Sequence, residues 1–149
     1  MQMKPTKFHR KQILLFVVTV LIVLIAIWLK SQHQSSTAIS AAKQFIQHLQ
    51  AKEFNQAFIL VKQPSLAGSN LQAFEIIVKN QFGDCTLNNV ASVFPFQSNG
   101  NRLRRLFTGK PIEMAEITVD FAGSCLFSVT LHHQENGLWQ VFKFQSHAG

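Results

Sequence analysis

The chain has 149 residues, with 47% apolar and 14% charged side chains and a formal net charge of +7. That charge is not distributed as nucleic-acid binding would need. Lys4, Lys7, Arg10, Lys11 and Lys30 flank one apolar run, whereas residues 31–149 hold nine basic against seven acidic side chains, so no nucleic-acid partner is expected.

From Ile13 to Leu29 the chain reads ILLFVVTVLIVLIAIWL, with Thr19 as its only polar residue. A helix that is apolar all round needs an apolar solvent on every side, and a chain this short cannot bury one in its own core. Seventeen residues at 1.5 Å each span roughly 25 Å, near the ~30 Å of a bilayer's hydrocarbon layer. Trp28 and Lys30 extend the reach, since an indole prefers the interface and a lysine snorkels to it. The reading is a basic cytoplasmic tail at 1–12, a transmembrane helix at 13–29, and everything beyond Lys30 outside by the positive-inside rule. A cleavable signal peptide has the same polarity. Its apolar region is shorter, however, and here the first small-x-small candidate, Ser36 to Ala38, lies well past the run, so a retained signal-anchor is expected. No cysteine adjoins the run for lipoprotein acylation. The expected location is the inner (cytoplasmic) membrane, single-pass, with a periplasmic or extracellular C-terminal domain.

Residues 30–37, rich in Ser, Gln and His, read as a short exposed linker, and 38–149 as one extracytoplasmic α+β domain. Ala38, Ala41, Phe45 and Leu49 keep helical spacing behind an N-cap at Ser36 or Thr37. Phe54, Ala57, Phe58 and Val61 keep it up to Pro64, and Leu71, Phe74, Ile77, Val78 and Phe82 keep it between Asn70 and Gly83. The pattern then changes to period two. Leu87, Val90, Val93 and Phe94 form one strand, and Ser-Asn-Gly-Asn at 98–101 reads as a turn. Ala115, Ile117, Val119 and Phe121 alternate with Glu116, Thr118 and Asp120. Cys125, Phe127, Val129 and Leu131 alternate with Ser128, Thr130 and His132. Glu-Asn-Gly at 135–137 marks a hairpin into Trp139, Val141, Phe142 and Phe144. The expected architecture is three helices packed on a curved, cone-like antiparallel sheet.

The helix pair AAKQFIQHLQAKEFNQAF, the third helix ending VKNQFG and the final hairpin HHQENGLWQVFKF resemble the nuclear transport factor 2-like superfamily, the ketosteroid-isomerase-like cone fold. The resemblance covers about residues 36–146. A single span before such a domain also resembles the bitopic scaffold subunits of type IV secretion and conjugation machines, which are usually longer than this chain. Enzymes of the cone family place a carboxylate base and a phenolic or acidic oxyanion donor inside it. This chain has no tyrosine, and Asp120 alternates onto the polar face of its strand.

Glu113 and His133 fall in the inward phase of their strands and are the candidate pocket polar groups, although both sit at strand ends where alternation lapses. Adjacent His132 and His133 point to opposite faces, and the other histidines have no companion at chelating spacing, so neither a metal nor another cofactor is expected. Cys85 and Cys125 are both inward at the starts of strands on an oxidising side, and a structural disulfide is expected rather than a reactive thiol pair. Arg102, Arg104 and Arg105, with Lys110, read as a solvated hairpin tip or a basic contact surface. Phe94, Phe96 and Phe107 fall outside the apolar stripes and are candidates for an exposed patch.

Two function classes follow. In the first, the outer domain is a non-enzymatic interaction or assembly module that contacts other envelope proteins or a second copy of itself, in a setting that includes secretion. In the second, it is a small-ligand-binding or enzymatic cone with an apolar pocket.

Overall fold

The computed structural model describes residues 7–147, so Lys4 of the basic tail lies outside the described residues. In chain order the elements are α1 (Lys7–Lys30), β1 (Gln32–His33), α2 (Ser36–Gln50), α3 (Phe54–Ile59), α4 (Leu71–Gln81), β2 (Leu87–Phe94), β3 (Gln97–Ser98), α5 (Asn99–Phe107), β4 (Glu116–Gly123), β5 (Leu126–His133) and β6 (Trp139–Ser146). They divide into two compact units. One holds the chain up to His33 together with Gln97–Lys110, and the other holds Gln34–Phe96 together with the chain from Pro111 onward.

In the first unit α1 runs for 24 residues, roughly 36 Å, and encloses the expected 13–29 span. It is long and apolar enough to cross a membrane, and none of its apolar stretch is buried. Thr19 Oγ1 donates to the Leu15 carbonyl at 2.9 Å, which satisfies the one polar side chain of the run. Segment 30–37 is more structured than an exposed linker. It contains β1, which pairs antiparallel with β3, Gln32 opposite Ser98 and His33 opposite Gln97. The turn expected at 98–101 is the start of α5. Ser98 Oγ accepts from the Asn101 amide at 3.2 Å, the role of an N-cap, so Ser-Asn-Gly-Asn opens a helix instead of closing a hairpin. The three arginines therefore lie on a helix and not on a hairpin tip.

The second unit is α+β. The cap of α2 is Ser35, one residue before the expected pair, with its hydroxyl accepting from the Ala38 amide at 3.5 Å. Helix α2 ends where Lys52 adopts a left-handed conformation, φ 59°, and the Glu53 amide reaches back to the His48 carbonyl at 2.9 Å. Asn70 caps α4 through Ala73 at 2.9 Å. Helix α3 stops at Ile59, before Val61. The chain there turns to run beside β6, with the Val141 amide donating to Leu60 and the Lys62 amide to Val141.

The sheet has the order β2-β4-β5-β6 and is antiparallel throughout. Register sets Val119 opposite Val129 and Phe121 opposite Phe127. With period two, Ile117, Val119, Phe121, Phe127, Val129 and Leu131 share the inner face, and all are buried. Against it α2 sets Ala38, Ala42, Phe45 and Leu49, and α4 sets Phe74 and Val78. The rings of Phe45, Phe74, Phe127 and Phe144 form the centre of this layer, with centroid separations of 5.5 Å for Phe45–Phe144 and 5.8 Å for Phe74–Phe144 and Phe127–Phe144. Each fully buried ring contributes about 1.5–3 kcal/mol relative to exposure.

Candidate functional site

The inner face of the sheet is filled by aromatic rings. Phe45, Phe74 and Phe127 are completely buried. Neither of the two polar groups expected to line a pocket is fully buried. His133 pairs with Trp139 across β5 and β6 and rests its ring on the indole at 4.7 Å. Glu113 is half-buried in the segment before β4. No charged side chain is fully buried among the described residues.

The polar chemistry is on the opposite face of the sheet, in two cross-strand groups. In the first, both oxygens of Asp120 accept serine hydroxyls at 2.5 Å, Oδ2 from Ser92 and Oδ1 from Ser128. Ser128 Oγ also lies 2.7 Å from His147 Nε2. Because the serine proton goes to the carboxylate, His147 Nε2 must be the donor in that contact. The order is His–Ser–Asp, with the serine in the middle. A nucleophilic serine needs the imidazole to accept its proton and the acid to orient the imidazole, so this arrangement is not a catalytic triad.

In the second group His132 bridges Lys62 and Glu116. Lys62 Nζ lies 3.3 Å from His132 Nδ1, and His132 Nε2 lies 2.9 Å from Glu116 Oε2. An ammonium can only donate, so Nδ1 accepts and Nε2 carries the proton given to Glu116. The ring stacks on Phe142 at 4.1 Å. Phe142 is free to turn to this face because register slips between Thr130 and Leu131, which puts a bulge in β6. The group is a surface brace between β4, β5 and the 60–66 segment. Among the described residues, no three His, Cys, Asp or Glu side chains gather where they could hold a metal ion.

One cleft in the second unit has an apolar wall. It has a volume of about 450 Å³ and lies between the end of α2, the start of α3 and the end of α4. Leu49, Phe54, Val78 and Phe82 supply apolar wall, and Lys52, Lys79 and Asp84 supply charge. Nothing in the spacing pattern singled out this cleft, because its walls are the same helix stripes that the period-3.6 rule assigns to core.

Cys85 and Cys125 are joined in a disulfide, with Cα atoms 5.8 Å apart. Both lie just before their strands, β2 and β5, instead of within them. The bond therefore ties the loop after α4 to the β4–β5 turn. There Ser124 Oγ also accepts from the Thr86 amide at 2.9 Å.

The remaining sequence candidates are divided between the two units. Phe94 and Phe96 are exposed, and their rings meet edge to face at 4.6 Å at the end of β2. Phe107, 79% exposed, is on α5 with Arg102, Arg104 and Arg105. Arg102 Nη1 lies 2.8 Å from His33 Nδ1 and donates to it, which fixes α5 to β1. Comparisons with family models, with curated proteins and with solved structures find no match to this chain.

Proposed function

We propose that this chain is a single-pass envelope protein, N-terminus in the cytoplasm, whose outer domain is an interaction or assembly module for other envelope proteins or for a second copy of itself. The supporting observation is the aromatic filling of the inner face, where Phe45, Phe74, Phe127 and Phe144 occupy the volume in which a cone-type enzyme would hold substrate. A disulfide supports an oxidising compartment, and α1 supports a membrane anchor. Three helices followed by an antiparallel meander are consistent with the nuclear transport factor 2-like reading, and secretion machinery is the setting that this resemblance favours.

The docking surface in this reading is the free side of β2. In the sheet order β2 has β4 on one side only, and at its end the exposed Phe94–Phe96 pair offers an apolar anchor. A photo-crosslinking residue in place of Phe96, activated in intact membranes, tests it. A discrete adduct that a Phe94→Ser substitution abolishes supports the module, and a chain that stays uncrosslinked refutes it.

A second reading has one observation in its favour, the cleft of about 450 Å³ beside the disulfide. Its apolar wall and its two lysines suit a small amphipathic anion. Such a ligand would appear as a bound mass on the purified chain that Lys52→Glu with Lys79→Glu removes.

A further inference from the structure

We infer that α5 is a second membrane contact, an amphipathic helix that lies on the outer leaflet beside the exit of α1 and takes phospholipid as its partner. The inference rests on the reading of α1 as a membrane anchor. Its carrying observation is that α5 is built onto the last turn of α1. Asn99 Nδ2 donates to the Trp28 carbonyl at 3.2 Å and to Ser31 Oγ at 2.8 Å, and the Asn99 amide donates to the Ser31 carbonyl at 3.1 Å. Gly100 packs so closely that a Cβ there would come within 3.0 Å of the Leu29 carbonyl oxygen. Helix α5 therefore starts at the level of Trp28 and Lys30, the residues that mark the interface when α1 spans.

The face of α5 that meets α1 is also its apolar face. Leu103 follows Asn99 by four residues and Gly100 by three, and Leu106 and Phe107 follow Leu103 by three and four, so all of them share one side. That side is exposed, at 36% for Leu103, 53% for Leu106 and 79% for Phe107. Asn101, Arg104, Arg105 and Thr108 occupy the other side. Gly109, at φ 67°, turns the chain out of the helix and places the exposed Lys110 after it. A short helix with apolar residues toward the anchor and cations around them fits lipid: the apolar side chains enter the acyl boundary and Arg104 and Lys110 meet headgroup phosphates. Although this face adjoins α1, α1 does not cover it, since Leu106 and Phe107 remain exposed beside the end of the apolar helix.

Nitroxide depth measurements on the full chain in phosphatidylglycerol–phosphatidylethanolamine vesicles test this. The chain has no free cysteine among its described residues, so a single introduced thiol labels cleanly. Labels are placed through Leu106→Cys, Phe107→Cys, Leu21→Cys as the anchor control and Asn136→Cys as the aqueous control. Labels at 106 and 107 should favour oxygen over a water-soluble nickel relaxer severalfold more than the label at 136, at a depth about 5–10 Å below the surface. Arg104→Glu with Lys110→Glu should move the label at 107 toward water, and an unchanged depth would overturn the headgroup role of these cations. If the label at 107 behaves like that at 136 while 21 lies in hydrocarbon, the inference fails and the anchor stands. If 21 is aqueous too, both fall. Shielding of 107 from both relaxers would assign the face to protein and overturn the lipid assignment.

Discussion

The indole Nε1 of Trp139 donates to Thr37 Oγ1 at 3.2 Å, so the first residue of the last strand is tied to the first turn of α2. Trp139 is 7% exposed and also carries the ring of His133. One side chain thus joins the helical layer and the sheet of the second unit at their edge.

Trp139→Ala should therefore destabilise the domain by about 3–5 kcal/mol, the usual cost of deleting a large buried ring. Thr37→Ala should cost about 1 kcal/mol, the net value of one hydrogen bond. Thermal unfolding of the detergent-solubilised chain measures both, and an unchanged midpoint for Trp139→Ala would place the ring outside the core.

Gly123 closes β4 opposite Leu87, and a Cβ on it would overlap the Thr86 carbonyl oxygen. That oxygen is committed, since it accepts the Ser124 amide at 2.9 Å. Gly123→Ala must push the β2 and β4 backbones apart, at a cost of about 1–3 kcal/mol. Gly137→Ala, where a Cβ would meet open space but φ is 84°, separates backbone strain from steric overlap. Denaturation midpoints of the two variants make the comparison, and no loss at Gly123 would mean that the strands are not in close contact there.

The elements that follow strict periodicity were legible in the sequence. Over Glu116–Phe121 and Phe127–His132 polar and apolar residues alternate without a break, and Ile117, Val119 and Phe121 fall on the inner face as that alternation requires. The stripe of α4 is framed by Asn70 and Gly83, whose cap roles are local. What failed was a signal with two meanings. Ser-Asn-Gly-Asn at 98–101 suits a turn and a helix N-terminus equally, and α5 has no buried residue of its own to decide between them. Partnerships that depend on register were also hidden. That Ser92 and Ser128 would both meet Asp120 requires knowing the pairing Ser92–Asp120 and Asp120–Ser128, which no single strand reveals. The cleft beside the disulfide needed three helix ends brought together, which spacing within any one helix does not encode.

The Cys85–Cys125 bond closes a 40-residue separation, for which the chain-entropy model gives about 4 kcal/mol of stabilisation. Reduction, or Cys85→Ser with Cys125→Ser, should lower the unfolding midpoint by a corresponding amount. Alkylation of the chain isolated from envelopes without reductant should find no free thiol at either position. Two reactive thiols would remove the support that the disulfide gives to an extracytoplasmic domain.

The His147–Ser128–Asp120 group distinguishes a structural role from an enzymatic one. Ser128 is buried, and its proton is already held by Asp120 Oδ1 at 2.5 Å. A serine-directed phosphonate should therefore leave it unlabelled. Asp120→Ala should strand the two hydroxyls of Ser92 and Ser128 and cost about 1–3 kcal/mol, whereas Asp120→Asn keeps an acceptor for one of them and should cost less. If the group were catalytic instead, Ser128 would react with the phosphonate and Asp120→Asn would suppress that reaction while leaving the unfolding midpoint unchanged. Intact mass after phosphonate treatment, read beside the unfolding midpoints of the two variants, separates these outcomes, because a brace loses stability in step with its hydrogen bonds and a nucleophile loses labelling.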